Sequence, residues 1–275
     1  MEVQAMQLIK QLSYRLTHAP QFSSQHKEGF LRAQRLAEAG ALEVAKFLQP
    51  GWTEKRASSL YETYLRDNGV RFFFHQPFAW FGARTRFEGF RKYRDFMPTT
   101  NPLKENDVFI LDAAPILEGY IADIGYTGSL EPNPSLMAAK TLLSQLRVEI
   151  PSLVEELRQG SLLWQKIDQR IHDRGYDNIH KMYPFSVLGH RVHHEVSENV
   201  GLKIYGFGWQ SFWEILSRGL FGQLLTQDHQ GEFSGLWAIE PHIGGKGFGA
   251  KFEEILVIEK GKIAWLEESR NGLAG

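Results

Sequence analysis

Several stretches of this sequence put an acid or a histidine among apolar neighbours. Asp112 sits in ILDAAPIL and Asp123 in YIADIGYT, on either side of Leu117-Glu118-Gly119. If the two stretches pair as a hairpin, both carboxylates can face one another across the ladder. A carboxylate taken out of water needs a partner, and a metal ion is one such partner; two ordinary turn or edge carboxylates are the alternative. His190 follows Gly189 and opens the run His190-Arg191-Val192-His193-His194-Glu195. Neutral imidazole is the commonest protein ligand for transition metals, although such a cluster equally suits the wall of a substrate pocket. Glu240 closes the strand-like Trp237-Ala238-Ile239 just before Pro241, and Glu253 and Glu254 open an apolar run at 255–258. Strand side chains alternate, so only one of this glutamate pair can reach a shared site. Taken singly, each of these residues is more often structural than catalytic. Taken together, carboxylates and an imidazole without sulfur suit two hard or borderline divalent ions: manganese, cobalt, iron(II) or zinc.

The elements that must position them can be read from periodicity and punctuation. Residues 30–48 have the apolar spacing of an amphipathic helix, stopped by Pro50-Gly51. Thr53 is placed to cap a second helix over 54–68, which Gly69 ends. The aromatic run at 70–81 predicts a strand, and 107–127 predicts two strands joined by the Leu117-Glu118-Gly119 turn. Helices are expected over 134–146, 151–158 and 160–174, with Gly175 closing the last. Residues 183–209 and 236–266 mix strand-like runs with glycine turns. This order of elements implies α+β architecture with antiparallel strands rather than a doubly wound sheet.

Composition narrows the function classes. The chain has 275 residues, 43% hydrophobic and 23% charged, which is enough to bury a sizeable core. Its 31 basic and 32 acidic residues leave a formal charge of -1, so no charge excess points to nucleic acid or an anionic membrane. No cysteine is present, which excludes disulfides and thiolate zinc sites and fits a reducing cytoplasm. The N-terminus lacks the apolar core of a signal peptide, and no stretch has the ~20 apolar residues of a membrane helix.

The ordered set Asp112, Asp123, Gly189-His190, Ile239-Glu240-Pro241 and Glu253 resembles the pita-bread metallopeptidases: methionine aminopeptidase, aminopeptidase P, prolidase and creatinase, family M24. The segment EGYIADIGYT, with Thr127, is similar to the family strand carrying the second aspartate. The stretch QPGWTEKRASSLYETYLRDNGV resembles its N-terminal helix pair. The resemblance spans about residues 28–266. It implies a curved antiparallel sheet covered by helices, a single catalytic domain over 1–275 with 1–27 as an extension, and no additional N-terminal domain. It also implies two divalent ions bridged by Asp123 and Glu253. Asp112 would bind one ion, and His190 with Glu240 the other. A metal-bound hydroxide would then attack an N-terminal or proline-adjacent peptide bond, with Glu240 as proton acceptor.

Three features depart from the family. Where the peptidases carry a histidine upstream of the first aspartate, Arg94 stands near the expected place, and His75 is a candidate substitute. The glycine-rich segment is shortened to GHRVHHE, so the second family histidine is His193 or His194, with His194 favoured by the following Glu195. Residues 207–236 form an aromatic-rich insertion that reads either as a surface helix or as a lid or homodimer contact. These departures keep two alternatives open: creatinase-like hydrolysis of a small non-peptide C–N bond, and a non-catalytic protein-binding module. The expected partner is otherwise a peptide or small amide substrate, with neither nucleic acid nor membrane.

Overall fold

A computed structural model of the chain describes residues 2–17, 24–194, 218–259 and 261–267. Helix α1 (Glu2–Leu16) precedes α2 (Ser24–Phe47) and α3 (Glu54–Asp67). Thr53 caps α3 as expected, its hydroxyl accepting from Arg56 N at 3.2 Å. Gly69, at φ +96°, turns the chain out of the helix. Strand β1 (Phe72–Phe81) then pairs antiparallel with β2 (Val108–Leu117). After the turn, β3 (Tyr120–Ile121) and β4 (Ile124–Ser129) return along β2. Glu118 and Gly119 take φ 51° and 81°, the pair of left-handed residues that a two-residue hairpin turn requires.

Helices α4 (Pro134–Leu157) and α5 (Gly160–Asp173) lead to short β5 (Asp177–Asn178) and β6 (Gly189–Arg191). The remaining strands are β7 (Leu224–Leu225), β8 (Gly235–Ile239), β9 (His242–Gly245), β10 (Phe248–Lys251), β11 (Glu254–Glu259) and β12 (Lys262–Trp265). They form one sheet in the order β12-β11-β8-β6-β7 and another in the order β10-β9-β5. Every strand pairing among the described residues is antiparallel. The α+β expectation therefore holds.

Strand alternation explains how the layers divide. Along β2, Phe109, Leu111 and Ala113 pack under α2 and α3 with Ala37, Val44, Tyr61 and Leu65. Asp112 and Ala114 therefore face the other way. Likewise Trp237, Ile239 and Leu256 pack under α4 and α5 with Leu146, Ile150, Leu163 and Trp164. Ala238, Ile255 and Val257 face inward with Ile116 and Ile121. Each such aliphatic side chain contributes about 1.5–3 kcal/mol on burial, so the helix-covered faces fix which residues remain on the inner face.

Two expectations need correction. Residues 134–146 and 151–158 are one helix, α4, with Pro151 inside it. The ring removes the N–H that would reach the Arg147 carbonyl. That carbonyl instead accepts the Trp265 indole N–H at 2.8 Å. Of the 207–236 insertion, 207–217 lie outside the described residues. Its later part is not a surface helix: after a four-residue helix at Leu220–Gln223, β7 joins β6 in the sheet.

Candidate metal centre

The inner face gathers the predicted residues from both halves of the chain. Asp112 pairs with Gly125, so Asp123, two residues earlier on the return strand, stands on the same face as Asp112. Pro115 has no N–H to offer the return strand, though its carbonyl accepts from Ala122 N at 3.1 Å, and regular pairing lapses at Ala122 and Asp123. Across the interior, His190 pairs with Ala238, and Glu240 follows at the end of β8. Two isolated antiparallel bridges, Gly125 to Glu253 and Tyr120 to His194, join the two sides. Glu254 points the opposite way, where Arg147 meets both its oxygens at 2.8 Å. The alternation thus assigns Glu253 to the centre and Glu254 to a structural ion pair.

His190 Nε2 lies 2.9 Å from Asp123 Oδ2, and its Nδ1 lies 2.9 Å from the Arg191 carbonyl. Committing Nδ1–H to that carbonyl leaves Nε2 as the ring atom available to a ligand. His75 is arranged the same way. Its Nδ1 meets the Gln76 carbonyl at 3.0 Å, and its Nε2 lies 3.2 Å from Asp123 Oδ1 and 3.3 Å from Asp112 Oδ1. Donor atoms of Asp123, His190 and Glu253 fall within 4.8 Å of one another, as do those of His75, Asp112 and Asp123. All of these residues are buried.

Charge in this space is strongly coupled. Burial alone would lower His75, but Asp123 and Asp112 outweigh it and hold the imidazole up to about 9. Burial would raise Asp123, yet His75 and His190 pull it below the usual carboxylate range. Glu240 and Glu253 go the other way: burial pushes both up, and their carboxylate neighbours add to it. Lys251, fully buried, offsets part of this. Its Nζ lies 2.5 Å from Asp112 Oδ2, 2.8 Å from Glu240 Oε2 and 2.9 Å from Glu253 Oε2.

The other singled-out residues lie nearby or elsewhere. His193 Nε2 hydrogen-bonds Gln223 Oε1 at 2.7 Å. His194 packs against Tyr120, with centroids 4.3 Å apart, and stacks on His26, 4.7 Å apart. Arg94 is exposed on a short 3-10 turn at Tyr93–Phe96. His75 is the histidine that reaches the aspartates instead.

Residues 28–260 match the profile of metallopeptidase family M24. The chain belongs to that family. Solved structures of similar fold include an X-Pro aminopeptidase from Thermotoga maritima MSB8, 18% identical with a TM-score of 0.67. A prolidase from Pyrococcus furiosus is 16% identical with a TM-score of 0.66, and an Xaa-Pro dipeptidase from Bacillus anthracis is 17% identical with a TM-score of 0.62. These alignments cover 97%, 96% and 96% of this chain and 65%, 68% and 64% of those chains, respectively. The chain thus spans about two thirds of the length of these M24 structures. Among curated proteins, none matches this sequence significantly. Among the described residues, no helix is long and apolar enough to cross a membrane.

Sequence reasoning passed over two groups at the centre. Lys251 lies two residues before Glu253, so strand parity could have placed it on the same face. Tyr183, whose hydroxyl lies 3.3 Å from Lys251 Nζ and 3.1 Å from His242 Nδ1, follows a 3-10 turn and carries no comparable signal.

Proposed function

We propose that this chain is a divalent-metal hydrolase that cleaves an N-terminal or proline-adjacent peptide bond. The convergence of Asp112, Asp123, His190, Glu240 and Glu253 on one buried inner face carries this reading. The donor set fits a divalent ion: Asp123, His190 and Glu253 supply oxygen and nitrogen within a common radius, and the His190 tautomer is fixed by a carbonyl. Such donors suit manganese, cobalt, iron(II) or zinc. A bound ion of this kind lowers the pKa of water and polarises a carbonyl.

The chain's own residues supply the remainder. Glu240, raised by burial, is the proton acceptor beside the ligands. Phe74 stacks on His190 at 5.0 Å and Phe78 on His75 at 5.3 Å, which holds both rings in plane and keeps that flank apolar. His193 and His194 follow the strand that carries His190, and in this reading they orient substrate. The names of the similar structures favour Xaa-Pro substrates.

The test combines metal analysis with hydrolysis of a peptide panel that includes Xaa-Pro dipeptides and longer peptides with proline second. Turnover should depend on metal, stop with a chelator and be lost in Asp123→Ala. Undiminished turnover in that variant would sink the reading. A second reading, hydrolysis of a small non-peptide C–N bond, is favoured by the exposed position of Arg94, which leaves the peptidases' upstream histidine without a counterpart there. Metal-loaded protein inert to every peptide would select it.

A further inference from the structure

The resemblance implies two divalent ions, yet a fixed cation of the chain already stands among their expected ligands. An ammonium has three N–H groups, and those of Lys251 meet Asp112, Glu240 and Glu253 at 2.5, 2.8 and 2.9 Å. We propose that the Lys251 ammonium is a resident cation that takes the place of one of the two metal ions, so that the chain binds a single divalent ion on Asp123, His190 and Glu253. This inference rests on the reading of the centre as a metal site.

The position of Lys251 is built into the backbone. Its main chain exchanges two hydrogen bonds with Thr127: the hydroxyl donates to the Lys251 carbonyl at 2.8 Å and accepts from Lys251 N at 2.9 Å. The aliphatic stem runs along Gly125, where an added Cβ would lie 2.3 Å from Lys251 Cε. A side chain at position 125 would close that lane, and glycine leaves it open. The Lys251 side chain is 1% exposed, so its ammonium finds its partners among these carboxylates rather than in bulk water. A second divalent ion would press directly on the ammonium, because the same oxygens of Asp112, Glu240 and Glu253 would serve both.

The full chain, stripped of metal and dialysed to equilibrium against Mn(II), is then analysed for bound metal and by electron paramagnetic resonance. One ion per wild-type chain with the spectrum of an isolated Mn(II) is expected, and two exchange-coupled ions in Lys251→Met. Two coupled ions in the wild type overturn the proposal, and so does a folded Lys251→Met that still holds one. Removing a buried counter-charge can also unfold the variant, so Asp112→Asn is the second probe. Because Asp112 serves the ammonium here, this variant should still bind one ion with the spectrum of an isolated Mn(II); a folded Asp112→Asn that binds none overturns the proposal. A wild type that binds no ion defeats the proposal together with the metal-hydrolase reading beneath it, whereas two ions leave that reading standing.

Discussion

Replacing Glu54 by alanine removes a wholly buried carboxylate at the start of α3. Its Oε1 accepts from Phe81 N at 3.1 Å and Arg84 Nε at 2.9 Å. Its Oε2 accepts from Thr99 N at 2.9 Å and Thr99 Oγ1 at 2.7 Å. Glu54 thus ties a helix start, the end of β1 and the 82–106 connection together. Arg84 is about a quarter exposed, so water recovers part of its loss and its share of the ion pair is discounted. The Phe81 amide is buried and has no such recourse, the Thr99 amide is only partly buried, and each orphaned donor costs about 1–3 kcal/mol. The sum, about 3–5 kcal/mol, is a large part of the ~5–15 kcal/mol of a typical domain. Urea unfolding should show the midpoint falling by more than about 1 M with the slope unchanged. A loss below about 1 kcal/mol would show that these donors find other partners, and that Glu54 does not anchor the connection. The effect should reach the centre as well: Thr85, in the same connection, accepts from Gly249 N at 2.7 Å on the strand that carries Lys251.

Two further perturbations test other parts of the structure. His180 is buried and held down to about 3 by desolvation, against an unfolded value of ~6.5. Its neutral form is therefore fully accommodated above pH 6.5, and stability is lost as pH falls from there toward 3. Between pH 7.5 and 5.5 the wild type should lose about 1 kcal/mol more than His180→Gln in urea titrations; equal losses would refute the assignment. Gly189→Ala would place a Cβ 2.1 Å from the Ala238 carbonyl oxygen, driving β6 from β8 and His190 from Asp123. Metal affinity should fall by about tenfold or more, although every ligand remains, and unchanged affinity in equilibrium dialysis would show that β6 absorbs the clash.

The Gly189 geometry also shows how much of the site was legible. The Gly-His pair could be recognised because a close strand crossing demands glycine just where the ligand is presented. The hairpin of Asp112 and Asp123 was readable because a left-handed turn and two apolar strands leave one register. Strand alternation alone leaves Glu253 and Glu254 as alternatives; motif position favours Glu253, and Arg147 claims Glu254. His75 could not be placed in advance. The β1 register slips between Phe73 and His75 and again between His75 and Phe78, around Pro77. Without those bulges, His75 and Phe78, an odd number of positions apart, would lie on opposite faces. The continuity of α4 through Pro151 was hidden for a similar reason: the partner that satisfies the freed carbonyl, Trp265, is distant in sequence.

That indole has a consequence for the far end of the described chain. Arg147 gives its carbonyl to Trp265 and its guanidinium to Glu254 and to the Glu267 carbonyl. The closing strand is therefore a keystone rather than trim. Cutting the polypeptide before Trp265 would bare an unanswered carbonyl inside a helix and loosen the residue beside Glu253, so damage at the tail would be felt at the heart of the molecule.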